Sequence, residues 1–195
     1  MNKNIILLSA LMCTFAYATD RATWLEIKPS YFIFSSSPMK HIYNHGAFEI
    51  QGSISAPVRD NLDLYGSVGY RKAWGHALNT CEKTTLSVIP IDFGVKPIFN
   101  ICECARYFFA VGPRYFYFHQ RNRSPYVDCK INNGNIGLFV NTGVNVLIRD
   151  CFLFGVFGEY SYEKKKICPN MPNVYSAGSV QIGGFAVGAS VGVAF

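Results

Sequence analysis

The sequence predicts an all-β fold, an eight-stranded antiparallel transmembrane β-barrel with up-and-down topology. Three observations predict it: eight segments alternate apolar and polar side chains, their connections alternate between short and long, and the composition is apolar without a membrane helix. Of 195 residues, 50% are hydrophobic, 15% aromatic and 15% charged. After the N-terminal region no apolar run approaches the ~20 residues that a membrane-spanning helix needs. In a barrel only alternate residues face lipid, so this composition fits.

The N-terminal region reads as a cleaved secretory signal peptide. One lysine precedes an apolar run over residues 5–16, and Ala-Tyr-Ala at 16–18 supplies small residues spaced for signal peptidase. The predicted domains are therefore the signal peptide, 1–18, and the outer-membrane β-barrel domain, 19–195. A lipoprotein anchored through Cys13 is the alternative, disfavoured because bulky Met12 stands where a small residue is wanted.

The first four segments combine an apolar face with a polar one. Successive side chains in a strand point to opposite faces, so a period of two predicts a wall with two different surfaces. The apolar face carries Ile27, Ile50, Val68 and Ile91 in order, and the polar face carries Glu26, Glu49, Arg71 and Asp92. The predicted segments are 24–34, 47–57, 62–74 and 85–99.

The last four segments repeat the pattern with more aromatic and small residues. Tyr115, Val144, Phe154 and Val187 represent the apolar face, and Arg114, Asn145, Glu159 and Gly188 the other. The segments are 106–118, 135–148, 151–162 and 177–195. Each is long enough to cross a bilayer at a tilt. The residues predicted to face lipid are Phe48, Ile50, Phe93, Phe109, Val144 and Val187.

The connections between segments predict an orientation. Short turns are expected at 58–61, 100–105 and 149–150, and longer polar loops at 35–46, 75–84, 119–134 and 163–176. Short turns on one side and long loops on the other are typical of outer-membrane barrels. An even strand number then places both chain ends on the periplasmic side, and closure leaves no strand edge in the bilayer.

The signal peptide and the segments at 107–117 (YFFAVGPRYFY) and 179–195 carry a family resemblance. The mature chain resembles small eight-stranded outer-membrane barrels, the group that contains the transmembrane domain of OmpA and the OmpX-like proteins. The resemblance implies integral outer-membrane localisation and an adhesive, structural or unassigned role. A secreted lipocalin-like binding protein is an alternative, because parity alone does not say which face is inside.

The ionisable residues of the polar face predict an interior ion-pair network. An eight-stranded barrel has room only for side chains, and buried charges need partners. Arg114 is expected to pair with Asp92 and Glu159. The alternatives are a narrow channel for ions or small solutes and a catalytic carboxylate pair. The predicted network comprises Glu26, Lys28, Glu49, Asp63, Arg71, Asp92, Lys96, Arg114 and Glu159.

The sequence offers little for an enzyme, so none is expected, and no cofactor or metal. His41, His45, His76 and His119 are all predicted in loops, and no helix is predicted to bring His41 and His45 together. No serine nucleophile motif, zinc-binding cysteine framework or phosphate-binding glycine loop occurs.

Charge predicts an anion-binding surface. The formal net charge is +6, and the predicted long loops hold eight basic residues against three acidic ones. Such a rim attracts lipopolysaccharide phosphates or an anionic host glycan or receptor, whereas nucleic acid is not expected at this location. Outer-membrane lipid is the other expected partner. The rim is predicted from Arg121, Arg123, Lys130, Lys164, Lys165 and Lys166.

Six cysteines remain after removal of the signal peptide. The topology predicts two groups that the membrane keeps apart: Cys81, Cys129 and Cys168 outside, and Cys102, Cys104 and Cys151 at the periplasmic end. Three per side allow one bond per side and leave one thiol, which suggests disulfide-linked envelope partners. This resembles the cysteine-rich envelopes of chlamydia-like bacteria; the alternative is that the leftover thiols stay free.

Overall fold

The computed structural model describes residues 22–43, 46–76, 83–122, 130–149, 151–166 and 179–195. Within them the chain forms ten strands and one short helix, α1 (Ser37–Ile42). The strands are β1 (Trp24–Phe34), β2 (Ala47–Arg59), β3 (Leu62–His76), β4 (Lys83–Asn100), β5 (Ala105–Asn122), β6 (Lys130–Ile148), β7 (Phe152–Tyr162), β8 (Lys164–Lys166), β9 (Ser179–Gln181) and β10 (Gly184–Ala194).

Eight of these strands close into an antiparallel barrel in the order β1-β10-β7-β6-β5-β4-β3-β2, while β8 and β9 pair as a separate two-stranded ribbon. The seam joins the two ends of the described chain: Trp24 lies opposite Ala194, and the backbones of Thr23 and Phe195 exchange two hydrogen bonds. The predicted fold class is confirmed. Among the described residues, no helix has both the length and the apolar character to span a membrane.

The strands are staggered around the barrel. Partner residues lead from Ile33 on β1 through β10, β7, β6, β5, β4 and β3 to Ala56 on β2. Where β1 pairs directly with β2, Phe32 lies opposite Ala47, so residue 33 lies opposite residue 46. The path around the barrel therefore reaches β2 ten residues away from the direct pairing, at residue 56 instead of 46, and this difference is the stagger. With eight strands, the space inside is just wide enough to be filled by side chains.

The two faces of the wall have opposite chemistry, in the parity that the sequence predicts. Phe48 and Val187 are 63% and 69% exposed on the outer face, whereas their neighbours Glu49 and Ala186 are buried. Phe109 and Val144 are partly exposed. The lipocalin alternative is wrong, because a soluble barrel would turn its apolar side chains inward. An apolar outside around a charged inside suits a barrel surrounded by lipid.

Aromatic side chains form two outward-facing belts, as expected where a barrel wall meets the two membrane–water interfaces. The belt at the end with the long connections contains Tyr31, Tyr70, Trp74, Tyr115, Tyr117 and Tyr162. The belt at the short-turn end contains Phe99, Tyr107, Phe152, Phe154 and Phe195. The wall between them is the membrane-crossing part.

The structure corrects several predicted boundaries at the outer end. β5 and β6 continue to Asn122 and from Lys130, so much of the predicted third loop is a strand hairpin. Residues 164–166 and 179–181 form the β8–β9 ribbon, where a loop and part of the last strand were predicted. Helix α1 lies in the predicted first loop, where no helix was expected.

The interior is layered along the barrel axis. An apolar group, the outer mouth cluster, fills the outer end and includes Met39 of helix α1 and Tyr43 directly after the helix. Its members are Phe32, Phe34, Met39, Tyr43, Ala47, Ala73, Leu86, Val88, Phe116, Phe118, Ile182 and Ala186. A smaller apolar group, Trp24, Leu147 and Leu153, lies at the short-turn end. The ionisable side chains lie between these two layers, which makes the middle the candidate site.

Candidate functional site

All nine ionisable residues predicted for the interior are buried, none more than 4% exposed. They come from β1, β2, β3, β4, β5 and β7, and every one occupies the inward parity of its strand. Removing this many charges from water is costly unless each finds a compensating partner. The contacts among them therefore decide what the interior can do.

Arg114 forms the central ion pair. Its Nε and Nη2 donate to the two carboxylate oxygens of Asp92 at 2.5 Å and 2.7 Å, and its Nη1 lies 2.6 Å from Glu159 Oε1. Asp92 is the direct cross-strand partner of Arg114, whereas Glu159 is on β7, two strands away. Ser67 donates to Asp92, and Asn141 Nδ2 donates to Glu159 Oε2 at 3.1 Å. One guanidinium thus joins three strands in the geometry that favours bidentate binding.

Two further ion pairs lie in the interior: one crosses it, and the other joins the directly opposed residues Glu49 and Arg71 of the neighbouring strands β2 and β3. Lys96 Nζ on β4 donates to Glu26 Oε1 on β1 at 2.7 Å, and also to Ser55 Oγ at 3.0 Å. Arg71 Nη1 donates to Glu49 Oε2 at 3.1 Å, and its guanidinium lies 3.6 Å from the centre of the Phe32 ring. The Lys96–Glu26 pair is a strut between strands that are not neighbours in the wall.

Lys28 is held by aromatic rings. Its Nζ lies 4.3 Å from the centre of the Phe157 ring, 5.4 Å from that of Tyr65 and 5.6 Å from that of Phe108, and donates to Tyr65 Oη at 3.4 Å. No described carboxylate lies within 4.0 Å of it. Desolvated cation–π contacts of this kind contribute about 2 kcal/mol or more. Sequence reasoning missed these three rings, although their inward parity was a usable signal.

Each interior carboxylate of these pairs is bound to a cationic side chain. Asp92, Glu159, Glu26 and Glu49 each face a guanidinium or ammonium at 2.5–3.1 Å. Each of these ion pairs joins two strands of the barrel. The remaining predicted residue, Asp63, is 1% exposed and lies near the short-turn end. Among the described residues no three His, Cys, Asp or Glu side chains lie close enough together to hold a metal ion.

The predicted basic rim lies on strands more than on loops. Arg121 and Lys130 are directly opposite each other in the β5–β6 hairpin, and Lys164, Lys165 and Lys166 form β8. Arg123 lies outside the described residues. Most of these basic residues therefore lie in regular strands, because the hairpins extend beyond the membrane-crossing part of the wall.

The histidine predictions also need correction. His119 lies in β5, His76 ends β3 and His41 lies in helix α1, so these three are not in loops. His41 Nδ1 is 2.8 Å from the backbone oxygen of Ser37, within its own helix. His45 lies outside the described residues, so the structure does not describe a His41–His45 pair.

Cys102, Cys104 and Cys151, at the short-turn end, are exposed free thiols, and the Sγ atoms of the first two are 3.5 Å apart. A hydrogen bond from the backbone N–H of Cys104 lowers the pKa of the Cys102 thiol. The pKa of Cys104 is raised, because its thiol hydrogen-bonds to Cys102. The other three, Cys81, Cys129 and Cys168, lie outside the described residues.

Solved structures share this architecture although their sequences are remote. OprG of Pseudomonas aeruginosa has a TM-score of 0.70 at 10% identity, over 91% of this chain and 98% of that one. Neisserial surface protein A has a TM-score of 0.58 at 16% identity, over 89% and 97%. Ail of Yersinia pestis, in complex with the heparin analogue sucrose octasulfate, has a TM-score of 0.51 at 11% identity, over 88% and 96%. No protein-family profile and no curated protein matches the chain in sequence.

The chain thus has the fold of small eight-stranded bacterial outer-membrane barrels. Its lipid-compatible outer wall, two aromatic belts and closed hydrogen-bonded ring are what such a location requires. The protein is an integral outer-membrane β-barrel.

Proposed function

We propose that the protein is a closed, non-conducting barrel that holds its outer hairpins and a basic rim at the cell surface. The observation that carries this proposal is the filled interior. Three ion pairs and the aromatic-held Lys28 occupy the middle, and apolar side chains occupy both ends. A pore that passes ions needs a continuous water-filled path, and the apolar side chains at both ends and the paired charges in the middle block such a path.

Single-channel recording in planar bilayers tests the closed interior. We expect no steady current from the wild-type barrel. A narrow channel for ions or small solutes is the second candidate function. Buried polar atoms that have no hydrogen-bond partner among the described residues favour it, namely Ser53 Oγ, Asn145 Oδ1 and Ser190 Oγ. A reproducible steady conductance would replace the first proposal with the second.

In this proposal the basic rim binds the ligand. Arg121 and Lys130 face each other across one hairpin, and three consecutive lysines form the ribbon strand β8. Concentrated positive charge at the cell surface attracts anionic polysaccharide, such as lipopolysaccharide, or a sulfated or sialylated host glycan. We infer a structural or adhesive role through such contacts, with no chemical reaction.

Binding of sucrose octasulfate tests the rim. At 11% identity the Ail complex shares only the fold, so this ligand serves here as a polyanionic probe. We expect affinity to fall as salt rises, because exposed charges are screened over ~10 Å at 0.1 M. Replacing Arg121, Arg123, Lys164, Lys165 and Lys166 with glutamine should abolish binding.

Exposed arginines at the opposite end provide the matched control. Arg59 and Arg149 lie at the short-turn end, and their replacement with glutamine should leave sucrose octasulfate binding unchanged. If the five-residue rim variant bound as tightly as wild type, the rim would be excluded as the site.

We further propose that Cys151 is the thiol that links the barrel to an envelope partner. Cys102 and Cys104 are already in sulfur contact, and both they and Cys151 are exposed at the periplasmic end. Exchange with a disulfide of a periplasmic oxidant would join the pair, with two electrons and two protons passing to the oxidant. Cys151 would then remain for an intermolecular bond.

Non-reducing gels of intact envelopes test the cross-link. We expect a high-mass band that reductant removes and that Cys151→Ser abolishes but Cys102→Ser does not. The lowered pKa of Cys102 and the raised pKa of Cys104 predict that, below about pH 8.5, an alkylating reagent modifies Cys102 first in the reduced protein. A monomer band with and without reductant would contradict the cross-link.

A further inference from the structure

Near the outer end of the wall, strands β3, β4 and β5 carry polar side chains on their outward face, whereas the described residues on the opposite side of the barrel include no charged side chain there. Lys72 on β3 lies directly opposite Ser87 on β4, and Ser87 lies directly opposite His119 on β5. Their chain neighbours Arg71, Val88 and Phe118 are buried, so all three face outward. Directly opposed side chains in a sheet have Cβ atoms ~5 Å apart, and the three form one patch, the wall patch.

The wall patch lies at the outer edge of the membrane-crossing band. Lys72 comes ten residues after Leu62, the start of β3. At about 3.3 Å per residue and a tilt of roughly 40°, this is about 25 Å along the axis, the height of the apolar band of an outer-membrane barrel. Tyr70, Trp74 and Tyr117 of the outer aromatic belt flank the patch. This is the depth of lipid headgroups.

The charge of Lys72 has no acidic neighbour among the residues that the structure describes. Its Nζ lies 5.4 Å from the centre of the Trp74 ring, and no described carboxylate lies within 4.0 Å. No described outward-facing strand position is Asp or Glu. Phosphate on a neighbouring lipid is the anion that this depth of the membrane supplies.

The patch also has a hydroxyl proton to donate. Tyr70 Oη and Ser87 Oγ are 3.5 Å apart, and only one of the two hydroxyls donates within that pair. The other keeps its proton for an acceptor beside Lys72. An ammonium and a hydroxyl donor next to aromatic surface suit a phosphate attached to a sugar and an acyl chain.

On the far side of the barrel, the outward-facing side chains towards the same end are Tyr31 of the outer aromatic belt and Ile33, Tyr160, Phe185 and Val187. None of these side chains carries a charge, and Tyr160 packs against Phe185 with ring centres 4.6 Å apart. The wall patch is therefore a local feature of β3, β4 and β5 and not a ring around the barrel.

We propose that the wall patch binds a phosphate of lipid A, the phosphorylated glycolipid of the outer leaflet, through Lys72 with Ser87 and His119 beside it. The bound lipid would lie with its acyl chains along the apolar wall below Tyr70. This site is on the barrel wall, apart from the basic rim, and does not depend on the function proposed above.

Lipid retention measured by native mass spectrometry tests the site. The wild-type barrel is placed in phosphatidylcholine nanodiscs containing bis-phosphorylated lipid A, the same lipid with its phosphates removed, or phosphatidylglycerol. We expect about tenfold tighter retention of the phosphorylated lipid A than of the dephosphorylated form, as one charge-assisted contact gives. Phosphatidylglycerol should be retained no better than dephosphorylated lipid A.

Variants on neighbouring strands identify the residues. Lys72→Gln should lose the tenfold preference and Lys72→Arg should keep it, while Lys83→Gln, an equal loss of charge at the tip of β4, should also keep it. Glutamine at 164–166 should leave the preference unchanged, which separates this site from the rim. Equal retention with and without phosphates, or an unchanged preference in Lys72→Gln, would overturn the proposal. Equal retention of phosphatidylglycerol would overturn lipid A as the occupant.

Discussion

The inner and outer faces of the barrel wall are built by the same strands and obey different rules. On the inner face Arg114, Arg71, Lys28 and Lys96 are at most 2% exposed, and each depends on particular neighbours. On the outer face Phe93 and Val187 are 60% and 69% exposed and have lipid as their environment. The comparison teaches that inner positions are specified by partners and outer positions only by polarity, and it can be tested one substitution at a time.

The largest effect is expected from Arg114→Ala. Its loss leaves Asp92 and Glu159 buried without a cation, which costs about 3–5 kcal/mol. Urea unfolding in lipid vesicles measures it. Adding Asp92→Asn and Glu159→Gln should recover part of the loss, whereas Arg149→Ala on the exposed turn should cost almost nothing. A loss at Arg114 as small as that at Arg149 would show that inner positions do not depend on their partners.

The next effect is expected on the outer face, from Val144→Arg. Val144 faces outward on β6, opposite Val156 on one side and opposite Tyr107 of the short-turn belt on the other. Arginine there meets hydrocarbon near the belt, so we expect a cost of about 1–3 kcal/mol, somewhat below the value at the bilayer midplane. The neighbouring Asn145→Ser, on the inner face, should cost far less. Spin labels at both positions provide an independent check: label 144 should report lipid and label 145 should not. Equal lipid exposure would contradict the parity.

The smallest effect compares two glycines of β7. A Cβ at inward-facing Gly155 would collide with Asn145 Oδ1 and lie 2.6 Å from Ser190 Oγ, whereas one at outward-facing Gly158 meets nothing within 4 Å. Gly155→Ala should cost about 1–3 kcal/mol, as overpacking does. Gly158→Ala should be neutral or stabilise by about 0.5 kcal/mol. Thermal unfolding of the two variants measures the difference. If both substitutions changed stability equally, the inner face would be no more tightly packed than the outer one.

The wall could be predicted from sequence because its signal is local. Alternation at Phe48, Glu49 and Ile50 reports which side chains share a face, and the observed β1 has the predicted bounds. The outer hairpins were predicted too short, because lipid no longer imposes alternation beyond the membrane. There β5 continues through His119 and Gln120, polar residues that read as loop.

Helix α1 could not be predicted from its sequence because neighbours stabilise it. It has six residues, too few to be stable alone, and Ser36 makes no side-chain cap. Met39 and Tyr43 bury their side chains in the outer mouth cluster. The interior charges were identifiable by parity, but the Lys96–Glu26 strut and the rings around Lys28 depend on the stagger of the closed barrel, which no local pattern records.

The seam between β1 and β10 has a consequence for the order of assembly. β10 pairs with β1 on one side and with β7 on the other, so β1 has no partner at this edge until β10 has been made. A nascent chain that has not yet released residues 184–194 exposes two unsatisfied backbone edges, and neither can enter hydrocarbon. The wall can therefore close without exposed backbone edges only once residues 184–194 are available to pair with both β1 and β7.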